Sequence, residues 1–416
     1  MERGSAWGGR IAVGAGLAVA GAVFLFAMQG MNDSGSPAGG APATSTLTPA
    51  ATETVQPEPT ATESMPTSTT EAVTSPYPEV VIGAPLSLDA EFLVVVYGGV
   101  GNEAPPTHIE RTLLEDGLIQ GRVTVLDAAE FAGADAYLNA WRNVHYPTRG
   151  TGEAVLAAIC LDAQCGGIGP ADPDARTLLV RSTDRGRTWE QLGTLDAAFW
   201  IHAWSQDGTE AILFRYPTGE DAFGAPWEYV RWPSMAEVAR PTLSAGEVLD
   251  RRAPLLLADG SLAWWAAGGL VDEAGAVILD FVDLGVPFDA SSVEFFEASL
   301  SPDGARLVLT WATETRRGMW HWTLFERGAG GRFEVISTLR QPADGSPAVP
   351  YSWLDEDRVV IPAGMPPAAL GLPADARIGY VPAVLDFTSG GLAAIAGFEA
   401  PDVVSRGNLV ISVERR

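Results

Sequence analysis

Ser182-Thr183-Asp184-Arg185-Gly186-Arg187-Thr188-Trp189 reads as a tight turn between two strands. Thr177-Leu178-Leu179-Val180-Arg181 before it is an apolar, β-prone run, and Thr188-Trp189-Glu190-Gln191-Leu192 after it alternates, so the spacing predicts a hairpin. Ser182 and Asp184 carry oxygens that fold back onto nearby backbone N–H groups, and Gly186 takes a positive φ without the cost a Cβ imposes. Trp189 is left as a large plate for burial between neighbouring sheets.

In this spacing, Ser-x-Asp-x-Gly-x-Thr-Trp, the stretch resembles the Asp-box (BNR) repeat of sialidase-like β-propellers. The resemblance implies a blade in which Ser182, Asp184, Gly186, Thr188 and Trp189 are structural and lie away from any catalytic pocket. Related punctuation recurs downstream. Ser205-Gln206-Asp207-Gly208 precedes Ala211-Ile212-Leu213-Phe214, Ala258-Asp259-Gly260 precedes Ser261-Leu262-Ala263-Trp264, and Ser301-Pro302-Asp303-Gly304 precedes Leu307-Val308-Leu309-Thr310-Trp311. Weaker copies end at Asp357 and Gly407, so positions 208, 260, 304, 357 and 407 are separated by 52, 44, 53 and 50 residues. A period of that size with four short strands per unit is the mark of a propeller. The Ser-Pro-Asp-Gly copy is similar to the repeat of TolB-type propellers, where it turns into the first strand of a blade. Two earlier turns, at Gly117 and Gly152, extend the series. The predicted fold class is therefore all-β, a β-propeller of seven blades with six as the alternative, at roughly 47 residues per blade. The final strand near Leu409–Val413 is placed to close the ring against the first blade.

Composition bounds the partners. The chain has 416 residues, 47% of them hydrophobic, with 46 Gly and 13 Trp, which suits one large turn-rich β domain plus accessory segments. Its 26 basic residues, all Arg, face 52 acidic ones for a net charge of −26, so nucleic acid and anionic lipid surfaces are excluded as partners on charge. The Arg-only basic set with abundant Ala, Gly and Pro matches a GC-rich bacterial genome.

Residues 1–10 carry Arg3 and Arg10, and 11–28 follow without a charge, long enough at about 1.5 Å per residue to cross a bilayer core of ~30 Å. No Lys or Arg occurs from Gln29 to Glu110, so the positive-inside rule predicts a cytoplasmic N-terminus, a single-pass anchor over 11–28 and an extracytoplasmic remainder. A cleaved signal peptide is the rival, opposed by the lack of a cleavage pattern close behind the apolar run. Residues 29–85, built of Pro, Thr, Ser, Ala and scattered acids, read as a disordered stalk, and 86–416 as the propeller ectodomain.

Few constellations carry chemistry. Cys160 and Cys165, five apart, are expected to pair as a disulfide outside the membrane, with two free thiols or a metal pair as alternatives. No metal is expected, because the four His (His108, His145, His202, His321) are scattered without ligand spacing and the acid clusters at 172–174 and 355–357 match no calcium loop. No cofactor motif is present. Phe214-Arg215-Tyr216-Pro217 resembles the sialidase element whose Arg grips a substrate carboxylate, which makes Arg215 the one substrate-binding candidate. That element precedes the first Asp-box in the family and follows it here, and the nucleophilic Tyr–Glu pair and acid/base Asp have no counterpart. Phe199-Trp200, Trp264-Trp265 and Trp320-His321-Trp322 read as core between blades, with a sugar-binding groove as the alternative. Segments 98–109, 216–228 and 362–377 are long and Gly/Pro-rich, and suit a binding face. The expected function is thus a membrane-anchored, monomeric binding module for a protein or carbohydrate ligand. The alternatives are a sialidase-like glycoside hydrolase and an envelope scaffold.

Overall fold

The computed structural model describes residues 76–97, 106–133, 136–138, 154–161, 165, 171–218, 228–241, 254–266, 268–284, 293–313, 320–341, 350, 352–371, 380–398 and 408–415. They form six sheets, each the blade of a β-propeller. Blade 1 combines β2 (Ala90–Tyr97), β3 (Pro106–Glu115) and β4 (Leu118–Asp127) with the last strand of the chain, β25 (Asn408–Arg415), which pairs antiparallel with β2. Blade 2 is β5 (Tyr137–Leu138), β6 (Val155–Leu161), β7 (Arg176–Ser182) and β8 (Glu190–Leu195). Blade 3 is β9 (Phe199–Trp204), β10 (Ala211–Arg215), β11 (Glu228–Trp232) and β12 (Ala236–Glu237). Blade 4 is β13 (Leu255–Leu256), β14 (Leu262–Ala266), β15 (Gly269–Asp272) and β16 (Val277–Asp280). Blade 5 is β17 (Val293–Leu300), β18 (Arg306–Thr313), β19 (His321–Arg327) and β20 (Phe333–Arg340). Blade 6 is β21 (Ser352–Trp353), β22 (Arg358–Gly364), β23 (Tyr380–Asp386) and β24 (Gly391–Ala394), with β1 (Val81–Ile82) added in parallel along β24.

The sequence pattern sets each strand's depth. β6 and β9 are nearly continuous apolar runs and are buried along almost their whole length. The outermost β4 and β8 alternate half-buried with exposed positions, because one face meets solvent. Five apolar clusters sit between successive blades and run round the ring, from blades 1, 2 and 3 through 3 and 4, 4 and 5, and 5 and 6 back to 6 and 1.

The blade count is six, which corrects the expectation of seven. Asp116 and Gly117 form the turn between β3 and β4 inside blade 1; Gly407 lies outside the described residues, but the strand that follows it, β25, belongs to that same blade. Ring closure merges the first and last repeats into one sheet, and a count along the chain scores them separately.

The stalk boundary at residue 85 also moves. Residues 77–88 run as a strap across three blade junctions: Tyr77 packs edge-on against Trp311 and His321 and donates its hydroxyl to the Leu284 carbonyl, Val80 is buried between blades 5 and 6, and Leu88 between 6 and 1. The proposed anchor 11–28 and the stalk up to residue 75 lie outside the described residues. Among the described residues no helix is long and apolar enough to cross a membrane.

Between blades, one device repeats. The turn joining the first two strands of a blade is closed by its Asp: Ser205 Oγ donates to Asp207 Oδ1 at 2.6 Å and Thr209 N–H at 3.0 Å, and Ser301 Oγ and Ala305 N–H do the same for Asp303 at 2.6 and 3.0 Å. The Ser205 hydroxyl and Thr209 N–H hold the Asp207 carboxyl below its usual value. An arginine of the preceding blade then donates to a carbonyl of that turn: Arg181 to Gly208 at 3.3 Å, Arg231 to Gly260 at 3.1 Å, and Arg306 to Glu356 at 3.2 Å. Gly304 shows how close the docking is, since with φ 71° a Cβ there would lie 2.6 Å from the Ala258 Cβ of blade 4.

Candidate functional site

All six blades share one strand order and pairing sense, so the second strand hands over to the third at the same rim. Tyr97 faces Pro106, Leu161 faces Arg176, Arg215 faces Glu228, and Gly364 faces Tyr380. The three Gly/Pro-rich segments 98–109, 216–228 and 362–377 span this handover in blades 1, 3 and 6. The bulk of each segment lies outside the described residues; the strand ends that flank them in blades 1, 3 and 6 stand at one rim although they are far apart in sequence.

The best-described part of that face is over blades 2 and 3. Cys160 and Cys165 are joined by a disulfide, both fully buried, with Cα atoms 5.9 Å apart. The Cys165 N–H donates to the Tyr137 hydroxyl at 2.9 Å; burial raises the Tyr137 pKa, and this bond lowers it in part. Ala171 meets blade 3: its N–H donates to the Pro217 carbonyl at 3.2 Å, and it bridges Thr218. Beneath, Thr177 Oγ1 donates to the Ala197 carbonyl and accepts the Phe199 N–H, each at 2.9 Å. The floor is aromatic: Trp200 lies 4.8 Å from Tyr216 and 5.6 Å from Phe214 between ring centroids, and Phe214 lies 5.6 Å from Tyr229. All four rings are at most 9% exposed, so they are core and offer no stacking platform to a sugar.

Arg215 stands on this rim with its guanidinium 5.4 Å above the Phe199 ring and 3.4 Å from Glu228 across the strand pair. Its charge already faces a carboxylate, where a sialidase arginine faces its substrate. On or beside the first strands of blades 3, 4 and 5, His202, Ala203, Pro254, Leu255, Leu256, Ala298 and Leu300 line a cavity of about 20 Å³. That holds one water, which needs roughly 10–15 Å³. Among the described first-strand side chains no arginine is found, and the one carboxylate, Glu414, is paired with Arg185. Among the described residues no group of three or more His, Cys, Asp or Glu is placed to hold a metal.

The hairpin at 182–189 lies on the opposite side from these connections, as a turn between third and fourth strands. Asp184 Oδ1 accepts from Ser182 Oγ and Thr188 N–H, both at 2.8 Å, and Oδ2 accepts from Thr188 Oγ1 at 2.6 Å. Burial pushes the Asp184 carboxyl up, but these bonds with the Arg187 backbone N–H outweigh it and lower its pKa to about 2. Gly186, with φ 75°, sets its backbone so close to blade 1 that a Cβ would meet Leu93 and Val125 at 3.2 and 3.3 Å. Trp189 is only half-buried, packed on the apolar cluster of blades 1 to 3. Asp207, Gly208, Asp259, Gly260, Asp303 and Gly304 all occupy the first-to-second strand turns and are structural. What sequence reading misses is the arginine that receives the Gly208 and Gly260 turns; its one signal is the interval, 27 residues from Arg181 to Gly208 and 29 from Arg231 to Gly260.

No family model matches the sequence, and no curated protein matches it. Among solved structures, the chain is similar to a periplasmic gluconolactonase of Pseudomonas aeruginosa (15% identity, 73% of this chain and 82% of that one, TM-score 0.36). It is similar to an oligogalacturonate lyase in complex with manganese (11% identity, 77% and 86%, TM-score 0.37) and to TolB from Acinetobacter baumannii (12% identity, 62% and 68%, TM-score 0.23). Likeness at this level brings neither activity nor ligand to the chain.

Proposed function

We propose that the chain is a membrane-anchored, extracytoplasmic β-propeller that binds a protein or carbohydrate ligand through its loop-bearing face. The observation that carries this reading is the Cys160–Cys165 disulfide closed beneath that face, since such bonds persist in oxidising compartments. The arginine asymmetry around 11–28 and the Pro/Thr/Ser-rich stalk support the same placement. The Asp-box-like hairpin fits as a blade-docking turn with no part in the chemistry. A binding role is favoured over glycoside hydrolysis because Arg215 is paired with Glu228 and no arginine is found among the described first-strand side chains. Two measurements test the reading. Reporter fusions after residue 40 should be active only outside the cytoplasm. Glycan arrays and envelope-protein panels probed with the full chain should give a ligand whose binding weakens about tenfold when 219–227 is replaced by a Gly/Ser linker; a cytoplasmic reporter signal, or binding indifferent to that replacement, rejects it.

A further inference from the structure

Residues 77–83 are held to the ring without being part of it. The six blades have four strands each, closed by β25 on β2, and β1 is an extra strand laid along β24. In this stretch only Val80 is buried; Pro78, Glu79 and Gly83 are exposed, and Val81 is 68% exposed. The Arg340 N–H donates to the Pro78 carbonyl at 2.8 Å, and the amides of Val80, Val81 and Gly83 donate to the carbonyls of Arg340, Gly390 and Leu392 at 3.0, 2.9 and 2.9 Å. Glu79 pairs with the Arg340 guanidinium. Ala84 and Pro85 are exposed, and beyond them a second clamp begins: Leu86 N–H donates to the Ala394 carbonyl at 2.7 Å, and its own carbonyl accepts the Ala396 N–H at 2.9 Å. A segment with one buried side chain and a chain end on one side opens at a lower free energy than the strands beneath it.

What that segment covers is a seam between blades 4 and 5 on the loop-bearing face. Trp311 lies near the end of β18, His321 opens β19, and Leu284 follows the end of β16, so all three stand at the rim where second and fourth strands finish. Tyr77 fills the space among them, its ring edge-on to Trp311 at 6.0 Å and to His321 at 5.4 Å, and its hydroxyl donated to the Leu284 carbonyl. The ring side of the seam is built inside blade 5. Trp311 stacks on His321 with centroids 4.4 Å apart, and its Nε1–H donates to Thr323 Oγ1 at 2.8 Å. We propose that the strap is a latch: residues 77–83 detach while the ring stays folded, and the seam they uncover takes a phenolic group in place of the Tyr77 side chain. Edge-on aromatic contact together with one hydroxyl given to a carbonyl is the chemistry of a phenol, and the side chain now in the seam displays it. The latch lies apart from the disulfide-pinned side of the face over blades 2 and 3 and does not rest on what binds there.

The test is hydrogen exchange on the unmodified full chain in detergent, where the amides of Val80, Val81 and Gly83 should exchange at least about tenfold faster than the central amides of β18 and β19. Added 4-methylphenol competes with Tyr77 and should speed those three amides further, leaving β18 and β19 unchanged. In Tyr77→Ala the same compound should raise the melting temperature, and toluene, which lacks the hydroxyl, should raise it less. An acetylated peptide of residues 77–82 is run beside them; stabilisation of the variant at lower concentration by the peptide assigns the seam to a tyrosine side chain, and by 4-methylphenol to a free phenol. Strap amides that exchange at the ring's own rate, exchange in β18 and β19 that rises together with the strap's, or a Tyr77→Ala protein that neither phenol source stabilises overturns the proposal.

Discussion

Arg185 of the β7–β8 hairpin reaches Glu414 of the ring-closing strand, with Nη1 2.6 Å from Oε2. Glu414 is the cross-strand partner of Glu91 in β2, so the seam that closes the ring sets two carboxylates opposite one another, an arrangement that repels. Glu91 is buried, and it is met by Arg111 Nε at 3.9 Å and by Arg187 Nη2, from the same hairpin, at 3.7 Å. Blade 2 therefore supplies two of the three arginines that offset this repulsion where blade 1 closes. The turn whose residues decide the fold also clamps its last strand.

Arg185→Ala should loosen that seam more than it lowers global stability. An ion pair at this degree of exposure is worth about 1 kcal/mol or less, and salt screens it. The expected result is faster hydrogen exchange confined to 408–415 and 90–97, with a small drop in melting temperature that 1 M salt largely abolishes. Unchanged exchange in β25 would remove the clamp.

Asp184 gives a pH signature. Its folded pKa is lowered from 3.8 to about 2, so the carboxylate contributes stability that is fully present above the unfolded value and is lost as pH falls through about 2. Asp184→Asn should therefore melt below wild type at neutral pH, by roughly 1–2 kcal/mol for the lost hydrogen bonds, and the two curves should converge near pH 2. A gap that stays constant down to pH 2 contradicts this.

The Asp-Gly turns, the hairpin and the apolar strands are legible in sequence because each is a local requirement: Gly208, Gly260 and Gly304 mark positive φ, and the inner strands are continuous apolar runs. The closing strand is legible as well: the apolar run near Leu409–Val413 is expected to close the ring on the first blade, and β25 pairs with β2 there. Three features are not, because they depend on contacts between distant residues. One is the blade count, since pairing across more than 300 residues puts the first and last counted units in one sheet and leaves six blades. The strap 77–88 holds with a few anchors, Tyr77, Val80 and Leu88, set among Pro, Gly and Ser that read as stalk. Arg215 sits in a suggestive tetrapeptide, but Glu228, which neutralises it, is thirteen residues away.

Gly304→Ala and Gly331→Ala separate docking from backbone strain. Both glycines have positive φ, 71° and 79°, but a Cβ at 304 meets Ala258 at 2.6 Å, whereas at 331 nothing lies within 4 Å. Gly331→Ala should cost about 1 kcal/mol for the left-handed conformation alone. Gly304→Ala adds a clash with the neighbouring blade and should cost about 1–3 kcal/mol more. Equal losses in denaturant melts would mean that the turn does not dock as described.

Replacing Cys160 and Cys165 together by Ala should cost about 2 kcal/mol, the loop-entropy estimate for so short a ring. The two sulfurs are bonded to each other, so thiol titration of the unreduced, denatured protein should find no reactive group. Two reactive thiols there would also remove the main support for an oxidising compartment.

Finally, the purified full chain should not turn over sialosides or neutral glycosides. A retaining glycosidase needs a nucleophile and an acid/base group held a few ångströms apart; a sialidase uses a Tyr–Glu nucleophile and adds cations converging on the substrate carboxylate. Here the one arginine in a sialidase-like tetrapeptide, Arg215, lies 3.4 Å from Glu228 and over Phe199, and removing it should leave the fold intact because its side chain is about half exposed. The cavity of about 20 Å³ among His202, Leu255 and Leu300 has no room for a sugar ring. Fluorogenic glycoside panels run on the wild type and on Arg215→Ala decide the matter. Turnover in the wild type that disappears with Arg215→Ala would replace the binding module with a hydrolase; ligand binding that survives in both, without turnover, places recognition on the loop-bearing rim and not on this guanidinium.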